Sequence, residues 1–522
     1  MAQKTPWRTI PDHENPGWPP GIPFIIGNEG CERFSFYGMK AILYVYLAYL
    51  YVQSGMAEKQ AEDSATAIVH TFVAGVYALP MVGAILADRL LGKYDTILWL
   101  SILYTGGHGM LAISEGQLTG TYIGLAMIAI GSGGIKPCVS ANVGDQFGKA
   151  NWHRLERVYQ AFYFIINFGS FFSTLLIPWL KKEYGFGVAF GVPGVLMAIA
   201  TVFFWAGRHK FVHVPPKPGG LLGLLDALAG ALMFMTIGSL MFTAEQPWAV
   251  KGLVSATCLV IGLAVFFYRQ TRTPDDGFLA VSIAMLRNAG AGAWSRAEQR
   301  FGAEAVEGTR AVYRILGIFL FVSVFWALFD QHASSWIRQA AMMELELDLP
   351  LFGHITLMPE QISAANPAMV MGLIPFVTFV MYPGLGKLGL EMTPLRRMTL
   401  GMGIASLAFV TVALLQARID GGTKVHVAWQ LIPYLLMTLA EVLVSITGLE
   451  FAYSQAPKRM KSTIMGFWLL TVSLGNVLVA VLAAFGDLPL VQFFWVFAGL
   501  MAVAAVLFGL IGRGYQTRDY PQ

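Results

Sequence analysis

Fourteen apolar segments constrain the fold of this chain more than any other feature, because about 20 apolar residues suffice for a helix to cross a bilayer. Hydrophobic residues make up 56% of the 522 positions and charged residues only 13%, so soluble globular folds are excluded. The sequence therefore predicts an all-α integral membrane protein. The candidate spans lie near residues 22–54, 66–87, 94–114, 121–143, 158–180, 187–206, 221–243, 249–268, 312–335, 366–386, 394–416, 427–453, 463–485 and 490–512.

The distribution of basic residues predicts the orientation of these spans. An even number of spans places both termini on the same side of the membrane. Four basic residues at the ends of spans, Lys251, Arg314, Arg396 and Arg397, are counted with the adjoining polar segments. With both termini in the cytosol, 25 of the 35 Lys and Arg residues then fall in cytosolic segments, 7 in outer loops and 3 within spans. This asymmetry is what the positive-inside rule requires. The N-terminal "MAQKTPWRTIPDHENPGWPP" lacks the apolar region of a cleavable signal peptide, so we expect a cytosolic tail.

Two long polar interruptions, at 208–220 and 269–314, divide the fourteen spans into groups of six, two and six. Such a plan is typical of transporters whose two repeated halves flank a site at the membrane midplane. Within the second interruption, "RAEQRFGAEAVEGTRAVYR" (296–314) is expected to form a surface helix at the membrane boundary. The predicted organisation is a cytosolic tail at 1–21, a six-helix bundle at 22–207, linkers with a two-helix insert at 208–311 (spans about 221–243 and 249–268), a second six-helix bundle at 312–513 and a cytosolic tail at 514–522.

The first span, "NEGCERFSFYGMKAILYVYL" (28–47), carries four ionisable residues in an otherwise apolar segment: Glu29, Glu32, Arg33 and Lys40. A charge near the bilayer centre costs about 2.5–3.5 kcal/mol on insertion scales, so the presence of four such residues in one span requires a structural or functional explanation. On a helix, Glu29 and Arg33 are separated by one turn and face the same side, with Glu32 beside them. This pattern favours an inward-facing functional cluster; charged side chains reaching to the cytosolic interface are the alternative.

Six motifs resemble, in order, those of the proton-dependent oligopeptide transporter (POT) family, a branch of the major facilitator superfamily. "EGCERFSFYG" resembles ExxERFxYYG in the first helix, although Phe36 replaces the first tyrosine of that motif. "GAILADRLLGK" (83–93) resembles the general superfamily loop after the second helix. The other family matches are "GSGGIKPCVSANVGDQF" (131–147) in the fourth helix, "FYFIINFGSF" (162–171) in the fifth, "FWALFDQHASSW" (325–336) in the seventh and "AEVLVSITGLEFAYSQAPKRMKS" (440–462) in the tenth. The resemblance implies a major facilitator fold of bacterial type, with 12 core transmembrane helices in two six-helix bundles and two extra helices between them, 14 in total.

The same resemblance implies the functional residues. Those expected to couple protons are Glu29, Glu32, Arg33, His70 and Asp330, and those expected to bind substrate are Arg33, Tyr37, Tyr77, Lys136, Asn167, Asn366, Glu441 and Trp468. His70 resembles a second-helix histidine of animal members that is implicated in proton uptake. Structural alternatives stay open: His70 could donate one structural hydrogen bond, Lys136 could reach a helix end, Asn366 could bond another helix, and Tyr77 and Trp468 could serve packing alone.

The predicted function is a proton-coupled symporter that imports di- and tripeptides by alternating access in the inner (plasma) membrane. A same-fold carrier for another small anion, such as nitrate or an organic acid, is the first alternative, and a non-transporting receptor is the second. The sequence has no HExxH, GxSxG, CxxC pair or P-loop, so enzymatic activity is not expected. We expect a monomer with no metal, no nucleic-acid partner and no cofactor other than protons as the coupling ion.

Overall fold

A computed structural model describes residues 7–241, 247–274, 277–287, 290, 292–349, 353–455, 461–485 and 488–515. Residues 456–460 of the sixth motif and the outermost parts of both predicted tails lie outside the described residues. The described chain is helical apart from loops and one antiparallel pair of short strands.

Nineteen α-helices and two strands make up the regular structure of the described residues. The helices are α1 (Ile22–Gln53), α2 (Glu58–Ala78), α3 (Pro80–Leu86), α4 (Lys93–Ile113), α5 (Leu118–Asp145), α6 (Leu155–Ala206), α7 (Gly220–Met241), α8 (Trp248–Arg272), α9 (Phe278–Arg287), α10 (Ala293–Phe301), α11 (Ala303–Phe329), α12 (Ser335–Ala341), α13 (Ala365–Phe376), α14 (Tyr382–Lys387), α15 (Pro394–Asp420), α16 (Leu431–Glu441), α17 (Thr447–Ser454), α18 (Lys461–Phe485) and α19 (Leu490–Gly514). The strands are β1 (Glu346–Leu349) and β2 (Gly353–Thr356). Single turns of π-helix at 87–91, 377–381 and 442–446 join consecutive helices into longer runs.

Twelve helical runs within the described residues are long and apolar enough to cross a membrane. The run Trp152–His209 covers two predicted spans, because Gly185 interrupts it with a left-handed φ of 85° that only glycine adopts readily. Helix α1 has 32 residues and is also long enough to span. With that run counted as two spans and α1 included, the described helices account for all fourteen predicted segments, and the chain is a multi-pass membrane protein.

The chain divides into two compact units. The first contains the described residues of 1–267, 332–371 and 480–485. In it α1 packs along α6, and α4 packs against α5 and α6. The contact between α3 and α5 is close enough that a Cβ added to Gly83 would lie 2.5 Å from the Cα of Gly134. Small residues at such positions let membrane helices approach until their backbones touch.

The segment 332–371 is anchored to the first unit by charged side chains. Arg338 on α12 pairs with Glu62 at 2.6 Å and with Asp63 at 2.8 Å, both on α2. Lys181 on α6 pairs with Glu360, in the short helical turn that precedes α13. These pairs fix α12 and the start of α13 against the helices of the first unit.

The second unit contains the described residues of 268–331, 372–479 and 488–515. Helix α15 packs against α16 and α19, and α11 packs against α19. Phe409 on α15 and Phe494 and Phe497 on α19 are fully buried and stack edge to face or tilted. These three rings pack α15 against α19.

The segment 296–314 differs from the prediction. It is not one surface helix: it contains the end of α10 and the start of the long helix α11. Gly302 lies between the two helices with a left-handed φ of 84°, which ends α10 and lets the chain change direction. Arg310 on α11 pairs with Glu298 on α10 at 3.2 Å across this turn.

The close approach of α3 and α5 makes a stability prediction. Gly83→Ala places a methyl group against the backbone of Gly134, and overpacking of this kind costs about 1–3 kcal/mol. We expect a lower thermal unfolding midpoint for the variant, measured on purified protein in detergent. Gly109→Ala in α4 is the matched control, because no atom lies within 4 Å of a Cβ added there. Equal midpoints for the two variants would contradict the predicted packing.

Candidate functional site

An ion cluster on α1 is the centre of the candidate site. The Nε of Arg33 donates a hydrogen bond of 2.6 Å to Oε1 of Glu29, one helical turn earlier. The same Nε lies 3.1 Å from Oε2 of Glu32. Because Nε carries a single proton, it cannot donate well to both carboxylates, and Oε2 of Glu32 accepts no hydrogen bond from the described residues. The structure therefore confirms that the three side chains form one unit, within which the two carboxylates are not equivalent.

Glu32 is tied instead to a neighbouring helix. The hydroxyl of Ser132 on α5 donates a hydrogen bond of 3.1 Å to Oε1 of Glu32. Both residues are buried, as is Glu29. This contact joins the first-helix motif to the glycine-rich start of the fourth-helix motif.

Part of the guanidinium group of Arg33 remains available to a ligand. Its side chain is 14% exposed, and the 2.6 Å and 3.1 Å contacts to the two carboxylates are both made by Nε. Its two terminal nitrogens donate no hydrogen bond to the described residues. A guanidinium group is planar and binds a carboxylate through two parallel hydrogen bonds, so this edge of Arg33 can hold a carboxylate ligand.

Lys136 on α5 is surrounded by aromatic rings. Its Nζ lies 4.5 Å from the centre of the Phe36 ring and 4.9 Å from that of Tyr77. Nζ is buried and makes no hydrogen bond with the described residues. The sequence explains this position, because the run Gly131–Gly134 lets α5 approach its neighbours: a Cβ added to Gly133 would lie 2.8 Å from Leu79.

Aromatic residues of α1 complete this part of the site. Phe36 is fully buried, packs edge to face with Tyr37 at 5.6 Å between ring centres, and stacks on Phe72 at 6.3 Å. Tyr37 is half-buried. Phe36 therefore belongs to the core, whereas Tyr37 remains partly accessible.

His70 lies in another part of the first unit. Its Nε2 shares a hydrogen bond of 2.8 Å with the hydroxyl of Ser334, and both residues are fully buried. Ser334 precedes α12, whose Arg338 pairs with α2 as described above. Ser334 was not predicted as the partner of His70. The only signal available in the sequence was its place in the motif "FWALFDQHASSW".

The two predicted asparagines are both at helical positions of the first unit. The side chain of Asn167 donates to the carbonyl oxygen of Tyr163, one turn earlier on α6, at 2.9 Å. This bond engages one of its two N–H donors and leaves the amide oxygen uncommitted to it. Asn366 lies in the first turn of α13, next to Pro367, as its sequence position predicted.

Asp330, Glu441 and Trp468 belong to the second unit. Asp330 follows the end of α11, and its Oδ2 accepts a hydrogen bond of 2.7 Å from Nδ2 of Asn476 on α18. The same Nδ2 donates to the carbonyl oxygen of Val472 at 2.9 Å, so both of its protons are used. Asn476 was not predicted from the sequence, because a lone asparagine in a membrane helix does not indicate which residue it bonds.

Glu441 and Trp468 lie where the backbone is irregular or closely packed. Glu441 is the last residue of α16, immediately before the π-helical turn 442–446, and such turns are frequent at functional sites. The Trp468 ring packs edge to face with Phe319 at 5.4 Å and is buried. A Cβ added to Gly448 would lie 2.2 Å from the Trp468 ring, so this glycine makes room for the indole.

Metal-ligating side chains are not clustered among the described residues. They contain no group of three or more His, Cys, Asp or Glu side chains arranged to hold a metal ion.

Comparisons with known proteins place the chain among membrane transporters. The model of the family described as "PTR2: POT family" matches residues 94–496. The chain is 34% identical over 420 residues to Peptide transporter family 1 of Drosophila melanogaster, covering 77% of this chain and 48% of that protein. It is 34% identical over 450 residues to human Solute carrier family 15 member 2, covering 83% of this chain and 54% of that protein. The chain thus spans about half the length of these curated relatives.

Solved structures show the same fold over almost the whole chain. The in meso crystal structure of the POT family transporter PepTSo is 40% identical, with a TM-score of 0.80, and the match covers 97% of this chain and all of that one. The crystal structure of an auto-inhibited POT family peptide transporter is 39% identical, with a TM-score of 0.79, covering 96% of this chain and 98% of that one. The predicted all-α major facilitator fold is confirmed, while the predicted domain boundaries remain predictions. By the match of the family model and by identity to these relatives, the chain belongs to the POT family.

Proposed function

We propose that this protein is a proton-coupled symporter that imports di- and tripeptides by alternating access. It acts in the inner (plasma) membrane with both termini in the cytosol, and catalyses no chemical reaction. Three relatives are described as a peptide transporter family member, a solute carrier and a POT family transporter, which supports this function. The observation that carries it is the ion cluster of Glu29, Glu32 and Arg33, with Lys136 in the same unit.

The charges of these four side chains suit a zwitterionic ligand. Two carboxylates and two cations sum to zero when all are ionised. Protonation of one carboxylate leaves a net positive charge, which attracts the carboxylate end of a peptide. Arg33 supplies the geometry for this end through its terminal nitrogens, and Lys136 supplies a second cation. A proton and a peptide carboxylate are therefore taken up together, because each compensates the charge of the other.

Glu32 is the better candidate for the coupling carboxylate. Its Oε2 accepts no hydrogen bond from the described residues, although the Arg33 side chain lies close by. In Glu29, by contrast, Oε1 accepts the short hydrogen bond from Arg33. A proton on Oε2 of Glu32 displaces no existing hydrogen bond and weakens the attraction that holds Arg33 to the cluster.

The amine end of the peptide requires a negative or accepting partner. We assign Glu441 to this end, with the amide oxygens of Asn167 and Asn366 as further acceptors. A carboxylate that recognises a free amine favours peptides over nitrate or simple organic acids, which have no amine to bind. Tyr37, Tyr77 and Trp468 are assigned to the walls around the side chains of the peptide, where broad apolar surfaces tolerate many shapes.

His70 and Asp330 are assigned to the conformational cycle. His70 holds Ser334 in a fully buried contact, and a positive charge on a buried imidazole ring is costly unless it is compensated. Protonation of His70 therefore favours loss of this contact. Asp330, positioned by Asn476, makes or breaks a gate pair with Arg33 or Lys136 in the proposed cycle.

Reconstitution into liposomes tests the proposed function. With an inward proton gradient, purified protein should accumulate labelled dialanine, and tripeptides should compete whereas free amino acids and nitrate should not. Collapse of the gradient with a protonophore should abolish accumulation. Uptake that is indifferent to the gradient, or that nitrate inhibits and peptides do not, would establish the anion carrier instead. Binding of peptide without any transport would establish the receptor.

Glu32→Gln should uncouple transport from the proton gradient. The amide keeps the shape of the side chain but takes up no proton at physiological pH, so gradient-driven uptake of dialanine should fall about ten-fold or more, as expected for loss of one charge-assisted interaction. Counterflow of labelled against unlabelled dialanine needs no net proton movement and should persist. Glu183→Gln, at an exposed position of α6 two residues before its break at Gly185, is the matched control. Undiminished gradient-driven uptake in both Glu32→Gln and Glu29→Gln would refute the coupling role of the cluster.

His70→Gln should flatten the pH dependence of uptake. Glutamine can still form a hydrogen bond to Ser334 but cannot acquire a proton, so acidification should no longer favour release of this contact. Uptake rates measured at external pH values from about 5 to 8 cover the range in which histidine titrates. His153→Gln, at an exposed position, is the control and should retain the wild-type profile. An unaltered profile in His70→Gln would remove this residue from the mechanism.

A further inference from the structure

Phe36 is the position at which this chain departs from the first-helix motif of its family, and it lies against the buried Lys136. The centre of its ring is 4.5 Å from Nζ of Lys136, and the ring of Tyr77 is 4.9 Å from the same atom. Both distances are within the range of a cation–π contact, in which the negative face of the ring attracts the ammonium group. The ammonium is therefore held by two aromatic residues from two different helices, α1 and α2.

The aromatic contacts explain how Lys136 stays near two carboxylates without pairing to them. Lys136 lies one helical turn after Ser132 on α5, and Ser132 donates a hydrogen bond to Glu32. Nonetheless, Lys136 forms no ion pair or hydrogen bond with the described residues. A ring face attracts an ammonium group without accepting a conventional hydrogen bond, so the three N–H donors are kept for another partner.

Phe36 cannot itself be a wall of the peptide site. It has no exposed surface, and its ring is fixed between Tyr37 and Phe72. A residue that the ligand does not touch can act on the ligand only through a neighbour. The neighbour with chemistry to offer is Lys136.

We propose that Phe36 and Tyr77 form an aromatic clamp that holds the Lys136 ammonium unpaired, and that Phe36 is a positioning residue for recognition of the peptide carboxylate. The inference rests on the proposed function, since it assigns Lys136 to that carboxylate. The clamp fixes the cation by ring faces, and the carboxylates of the cluster remain available to Arg33 and to the proton. It also assigns a role to the ring of Phe36 that does not require the hydroxyl of the family motif.

Ligand binding measured with two matched ligands tests the clamp. Phe36→Leu removes the ring and keeps an apolar side chain of moderate size. Its affinity for dialanine should fall about ten-fold, which corresponds to loss of one desolvated cation–π contact. Its affinity for dialanine amide, which lacks the carboxylate, should stay within about two-fold of wild type, well below the ten-fold step of one such contact. Titration of purified protein in detergent, followed by thermal shift or calorimetry, provides both values.

Three variants separate the clamp from general packing. Phe36→Tyr keeps the ring face, and the family motif carries Tyr at this position, so it should bind dialanine like wild type. Phe72→Leu loses an aromatic neighbour of Phe36 that does not contact Lys136, and it should keep the wild-type ratio of the two affinities. Should Phe36→Leu fail to fold, Phe36→Met provides the same loss of ring with a more adaptable side chain.

The outcomes distinguish the clamp from the proposed function. Equal losses of affinity for dialanine and its amide, or no loss for either, would overturn the clamp. If Phe36→Leu loses affinity for dialanine but not for its amide, and wild-type protein still fails to accumulate dialanine in liposomes, the symporter would be overturned and the clamp retained. Failure of wild-type protein to bind either ligand would overturn both.

Discussion

The charged cluster of α1 is the constraint on which the rest of the first unit depends. A helix that buries Glu29 and Glu32 in a membrane protein must supply partners for them, since an isolated buried carboxylate is far more costly than a paired one. Arg33 pairs with both, but its Nε has one proton and engages Glu29. Glu32 therefore needs a hydrogen-bond donor from another helix, and the hydroxyl of Ser132 on α5 donates to it. The ion cluster therefore fixes how α5 must lie against α1.

That placement needs small residues, and the sequence supplies them. Gly131, Gly133 and Gly134 each face an atom of a neighbouring helix that a Cβ would approach to within 2.8 Å. In lipid, helices are held together by close packing and polar contacts, because burial of apolar surface gives little advantage there. The glycine-rich motif thus serves first as the surface that brings α5 close to α2 and α4. The position of Lys136 beside Tyr77 and Phe36 is a consequence of this approach.

Sequence reasoning predicted local relations well and relations between helices poorly, for a physical reason. The helix itself sets the spacing of Glu29, Glu32 and Arg33. The cluster could therefore be predicted from the helical repeat alone, and it is confirmed. The partners of His70 and Asp330 depend on which segments of the fold pack together, and the helical repeat of one segment does not encode this. Ser334 and Asn476 were therefore not predicted. The break at Gly302 was missed for a related reason, because 296–314 has a helical composition on both sides of a residue whose backbone alone ends the helix.

Arg33 and Lys136, the two cations assigned to the peptide carboxylate, are held by different interactions, and this difference suits a coupled transporter. Arg33 is held by carboxylates, so its availability changes whenever one of them takes up a proton. Lys136 is held by ring faces, which do not titrate. In the proposed cycle, protonation of a carboxylate changes the hold of the cluster on Arg33, whereas it leaves the aromatic contacts of Lys136 in place. A site in which both cations were bound to carboxylates would bind peptide only after both carboxylates were neutralised. One aromatic-held lysine therefore allows the uptake of a single proton to complete the site.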